Sequence, residues 1–233
     1  MEELRKITQE IGQNPSLMHI DNDGFIIVSR VLDIALNLPV EEISDCICTI
    51  QKVFEYNKHL PDMPNMFSSK LLQLGMSAYT LKSFEIAEKV FLILSDSGDS
   101  NGKNNYAYMI RRKEIKENSD ELLIKAVRLL RDGVLKNEPF SFVNLALLLA
   151  IRFGDDSDWR LSDELIKKMP DNNMFGVQSW WEDVGNNGDI EGLLVHFFLL
   201  RHNKIKKSIF GNLEQLSIKL SMEIKNFPKW LMA

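Results

Sequence analysis

Four histidines, two cysteines, scattered carboxylates and a tyrosine–arginine group are the side chains of this 233-residue chain that could do chemistry. Cys46 and Cys48 lie two residues apart. On a helix that spacing points the thiols in nearly opposite directions, and no second cysteine pair or nearby histidine completes a four-ligand zinc set. His196 and His202 are six apart and miss the i, i+4 spacing that brings two imidazoles to one metal. His196, inside the apolar run 192–200, reads as a hydrogen-bonded core or groove residue; His202 reads as a helix C-terminal residue favoured by the dipole. DNDG at 21–24 and SGDSNG at 97–102 hint at calcium loops. In the second, the closing carboxylate position is Tyr108 and the first ligand is Ser97, so both are better explained as turns and helix N-caps. No nucleophile elbow, phosphate loop, H-E-x-x-H or dinucleotide fingerprint occurs. No catalytic residue, metal or cofactor is expected.

The elements that must position these residues are helices. Apolar residues at Phe25, Val28, Val31, Leu32, Ala35 and Leu36 keep helical spacing up to Pro39. Ile43, Cys46, Ile47, Ile50, Val53 and Phe54 trace a second stripe, with Glu41 and Glu42 in its first turn. FIIV at 25–28 is the best strand candidate, but its continuation into a helical stripe favours helix. Pro61 and Pro64 in LPDMPN mark a linker.

The stretch 71–94, LLQLGMSAYTLKSFEIAEKVFLIL, predicts two antiparallel helices joined at Lys82 and Ser83. Leu71, Leu74, Gly75 and Ala78 share a face of the first; Ala87, Phe91 and Leu94 share a face of the second. L-x-x-L-G-x-x-A followed by A-x-x-x-F-x-x-L resembles the tetratricopeptide repeat. Fainter copies follow. One begins at NNYAYMI, 104–110, with its second helix over 121–135 (Ala126, Leu130). Another begins at FVNLALLLAI, 142–151, with its second helix through Trp159, Ser162, Ile166 and Met169. A fourth starts at Trp181, Val184 and Gly185 and continues over 190–202. Gly75, Ala107, Ala146 and Gly185 are the small residues that should let helices cross closely. The last helix, about 206–226, places Ile209, Leu213, Leu216, Leu220 and Ile224 on one side, as a terminal cap requires. Phe227, Trp230 and Leu231 should fold back onto it; a partner-binding tail is the alternative.

The expected fold is therefore all-α. It is a solenoid of antiparallel helix pairs over 65–203, with an N-terminal helical region over 1–64 (a degenerate repeat or a cap) and a C-terminal capping helix and tail over 204–233. The resemblance implies that the first helix of each pair lines a concave face. On that reading Met76, Tyr79, Asn104, Tyr108, Arg111 and Arg112 face outward as a partner-binding groove. Aromatic rings beside two guanidiniums suit an acidic or carboxylate-bearing peptide. The competing reading makes Arg111, Arg112 and Lys113 a solvated helix end.

Composition bounds the function. Net charge is −5, from 28 basic and 33 acidic residues. That balance argues against a general nucleic-acid binder and against an RNA-reading helical repeat. The charged N-terminus is unlike a signal peptide, no apolar run is long enough to span a bilayer, and two cysteines suit a reducing compartment. A cytoplasmic, non-enzymatic protein-interaction module, with no membrane or nucleic-acid partner, is the expectation. Two alternatives remain: an immunity protein neutralising a toxin or effector, whose basic surface the negative charge would suit, and a helical enzyme using dispersed carboxylates such as Asp155, Asp156, Asp158 and Glu182.

Overall fold

A computed structural model describes residues 65–115 and 119–232, with isolated positions between 6 and 51. Val31, Leu32, Ala35, Ile43, Ile47 and Ile50, from the two N-terminal stripes, are helical and buried, and Cys48 is exposed. Leu36 is helical and half-buried; Phe25, Val28, Val53 and Phe54 of those stripes, FIIV, the DNDG segment, His19, His59, Cys46, and Pro61 and Pro64 lie outside the described residues. Among the described residues every regular element is helical and no strand occurs. No helix there is long and apolar enough to cross a membrane. The chain divides into two compact units, Met1–Leu122 and Leu123–Ala233.

In the first unit, α1 (Asn65–Thr80), α2 (Phe84–Asp96) and α3 (Ser100–Arg112) pack in succession, α2 against both neighbours. The expected pair 71–94 is α1 with α2. Lys82 stops α1 in the left-handed region (φ 59°), and the Ser83 amide donates back to the Ala78 carbonyl, reversing the chain within three residues. Gly75 is required here. A Cβ on it would sit 2.5 Å from the ring of Phe91, which is itself only 1% exposed. Asp99 then starts α3 by accepting the Gly102 amide at 2.8 Å, so the SGDSNG segment is a turn and N-cap.

In the second unit, α4 (Asp120–Leu135) begins just before the division. α5 (Pro139–Leu147) runs on as a π-helical turn, Leu148–Phe153, and α6 spans Asp156–Lys168. Next come α7 (Met174–Asn186), α8 (Ile190–Arg201), α9 (Leu213–Glu223) and a 3-10 turn, Lys229–Leu231. α5 packs on α6, α7 on α8, and α8 on α9; α7 also reaches α5, and α8 reaches both α5 and α6. The expected third and fourth copies thus form as helix pairs that touch each other. Their crossings sit at the predicted small residues. The Ala146 carbonyl accepts the Ser162 hydroxyl at 2.8 Å, and a Cβ on Gly192 would strike the backbone of Gly185. Trp159, Trp181, Phe197 and Phe198 fill the core.

The end of the chain departs from expectation in two ways. The last helix starts at Leu213 rather than near 206, because Asn212 caps it in a reciprocal box with Gln215. Leu216 and Leu220 are buried as expected, but Ile209, ahead of the helix, is 61% exposed and Leu213 37% exposed. The tail does fold back, and its rings meet side chains of α6 and α8. Phe227 meets the rings of Trp159 and Phe197 edge-on, each at 5.6 Å. The Trp230 indole donates to Asp156 at 2.7 Å, beneath the Arg160 guanidinium.

Candidate functional site

The six residues expected to form a groove all belong to the first unit, on α1 and α3. Tyr79 lies in the last turn of α1 and Tyr108 two turns into α3. Their rings meet edge-on with centroids 5.8 Å apart, and their hydroxyls approach to 3.5 Å. The first helices of the first two expected copies therefore meet through these two rings. Met76, Tyr79, Asn104 and Arg112 are half-buried and reach the surface. Tyr108 and Arg111 do not face outward as expected: they are 7% and 3% exposed. Arg111 lays its guanidinium 5.1 Å from the centre of the Tyr108 ring, a cation–π contact that contributes to holding it inside the unit.

Glu114 joins this group although no spacing in the sequence marks it. α3 ends on Lys113 in the left-handed region (φ 58°), and the Glu114 amide turns back to the Met109 carbonyl. That reversal brings the Glu114 carboxylate over the helix end. There its Oε1 accepts the Tyr79 hydroxyl at 3.0 Å and lies 3.7 Å from the Arg112 Nε. The sequence carries no signal for this, since a lysine at positive φ looks like any other lysine in a polar run. The result is a linked set, Tyr108–Tyr79–Glu114–Arg112, sealed enough to shift its acids. Burial raises the Glu114 carboxyl above its ordinary range, opposed by the Tyr79 hydrogen bond and then by Arg112 and Arg111. Burial also raises the phenols of Tyr79 and Tyr108.

The remaining candidates are engaged elsewhere. Asp155 and Asp158 form the capping box of α6. Asp156 holds Trp230 and Arg160, and these bonds lower its carboxyl below the usual range. Glu182 accepts from Gln178 at 2.8 Å. His202 caps α8 as expected, with its Nε2 2.7 Å from Asp163, which also meets Arg201 at 3.3 Å. His196 is fully buried, but neither ring nitrogen makes a well-formed hydrogen bond; its ring packs on Phe210 with centroids 4.9 Å apart. Among the described residues no cluster of three His, Cys, Asp or Glu side chains could hold a metal ion.

No protein-family model matches this chain. No curated protein and no solved structure matches it either.

Proposed function

We propose that the chain is a non-enzymatic binding module whose stacked, tetratricopeptide-like helix pairs hold a segment of a partner protein. The observation that carries this reading is the contact of α1 with α3 through Tyr79 and Tyr108. In repeat arrays, first helices that meet one another line the concave face. The warrant is architectural, and it reaches the partner only through the side chains that come to the surface there.

Those side chains alter the kind of partner proposed. Glu114 already stands beside Arg112, and Arg111 is committed to Tyr108. The pair is therefore a weak anchor for an acidic segment. Met76, the exposed part of Tyr79 and Asn104 suit an uncharged segment that offers apolar contact and hydrogen bonds. The test places a photo-crosslinking amino acid at Met76 or Asn104 in the full chain, with Ser221 on α9 as control. A partner is expected to crosslink from the first two positions only. Its affinity should then fall at least tenfold in Asn104→Arg while the melting temperature stays put. Crosslinking from Ser221 alone, or undiminished affinity in Asn104→Arg, would refute the groove.

A further inference from the structure

The end of the second unit has an electrostatic character opposite to that of the whole chain. From residue 203 onward there are six lysines and no arginine against two glutamates, in a protein of net charge −5. Lys204 is spoken for, donating to Asp171 and to the Met169 carbonyl. The other five, Lys206, Lys207, Lys219, Lys225 and Lys229, are exposed, and none has a carboxylate partner among the described residues.

Apolar side chains stand out among them. Ile218 and Met222 lie one turn apart on the face of α9 opposite the buried Leu216 and Leu220, and are 50% and 74% exposed. Ile209, 61% exposed, precedes the helix in the segment that carries Lys206 and Lys207. The solvent side of a surface helix is ordinarily polar. α9 exposes Ile218 and Met222 alongside Glu214, Lys219 and Glu223, and the other four exposed lysines stand in the segments before and after the helix.

We infer that this end of the molecule docks reversibly on an anionic lipid surface. The exposed apolar residues are aliphatic or thioether, which enter a headgroup layer but give a nucleic acid no ring on which bases can stack. Every unpaired cation is a lysine, a point charge suited to a diffuse field of phosphates and carboxylates. The planar fork of arginine, which reads a defined acidic protein surface, is missing from the set. The exposed apolar set is small, so binding needs insertion and charge together. It therefore falls steeply with salt and vanishes on neutral lipid.

The test is co-sedimentation of the full chain with vesicles of phosphatidylcholine alone and with 30 mol% phosphatidylserine, a composition chosen for the assay. At low salt the expected result is at least a fivefold greater bound fraction on the anionic vesicles, lost at half-molar salt. Met222→Glu and Lys206→Glu with Lys207→Glu should each abolish the excess. All three positions are exposed, and circular dichroism checks that the variants fold. Equal binding to both vesicles, no binding, or an excess that survives both variants would overturn the inference. So would a short DNA duplex or a polyglutamate chain that binds tightly enough to strip the protein from the vesicles. The crosslinking test at Met76 and Asn104 is independent of this outcome.

Discussion

His196 shows most directly how one residue couples this fold to its solvent. Burial lowers the pKa of its imidazole below the ordinary 6.5; Glu182 and the Gln178 backbone act the other way. The folded chain keeps the ring neutral under conditions where the unfolded chain protonates it. In the window between the depressed value and about 6.5 the unfolded state binds more protons, so stability is full above that window and falls as pH drops through it. His196→Phe should flatten that dependence, whatever it does to stability at pH 7.5. Urea midpoints measured from pH 7.5 to pH 5 would show the wild-type curve dropping more than the variant's. Parallel curves would mean that His196 does not titrate in this range. The apolar run around His196 placed it in the core correctly; the Gln178 backbone stands close enough to favour the charged ring, though not in well-formed hydrogen-bond geometry, and spacing alone says nothing of which carbonyls lie within reach.

At the scale of elements, what was legible and what was not divide along a physical line. Helix pairs and their crossings follow from apolar spacing and small residues, which are composition. Gly75 opposite Phe91 and Ser162 against Ala146 fall where the pattern put them. Left-handed helix stops decided what the pattern could not. Lys82, Lys113, Asn137 and Asn203 all take positive φ, and at Lys113 the reversal delivers Glu114 to Tyr79. Likewise, Ile209 joined the last apolar stripe by arithmetic, whereas the Asn212–Gln215 box began the helix after it. The crossing invites a direct experiment. Gly75→Ala gains helix propensity of about 1 kcal/mol, yet places a methyl against a ring with no room to move. A net loss of about 1–3 kcal/mol is expected from overpacking. Phe91→Leu should be less harmful in the Gly75→Ala background than alone, a coupling that denaturant unfolding of the four-variant cycle would reveal. Additive losses would remove Phe91 as the reason for glycine.

At the scale of the whole molecule, two compact units carry different chemistry. The first holds a tyrosine–glutamate–arginine set between α1 and α3. The second ends in a lysine-rich, aliphatic edge that the average charge of the chain conceals. The net charge of −5 argues against nucleic acid and gives no hint of a basic edge, because net charge sums over faces that never meet the same partner. Resemblance to helical repeats gave the architecture of the pairs. It had nothing to say about this edge, which depends on which side of α9 the core leaves uncovered.

The tail contact has a kinetic consequence. Asp156 and Trp230 are 74 residues apart in the chain, so their bond closes a long loop, and the entropy of closing it is recovered only once α6 through α9 are in place. The contact belongs to the late side of the folding barrier. Trp230→Phe, which removes the indole donor, should leave the refolding rate within about twofold and speed unfolding several-fold. Stopped-flow fluorescence can follow both limbs through the buried Trp159. A slowed refolding limb with unchanged unfolding would instead place the latch in the nucleus. If the bond forms last, it governs how long the second unit stays closed, and it has little influence on how fast that unit assembles.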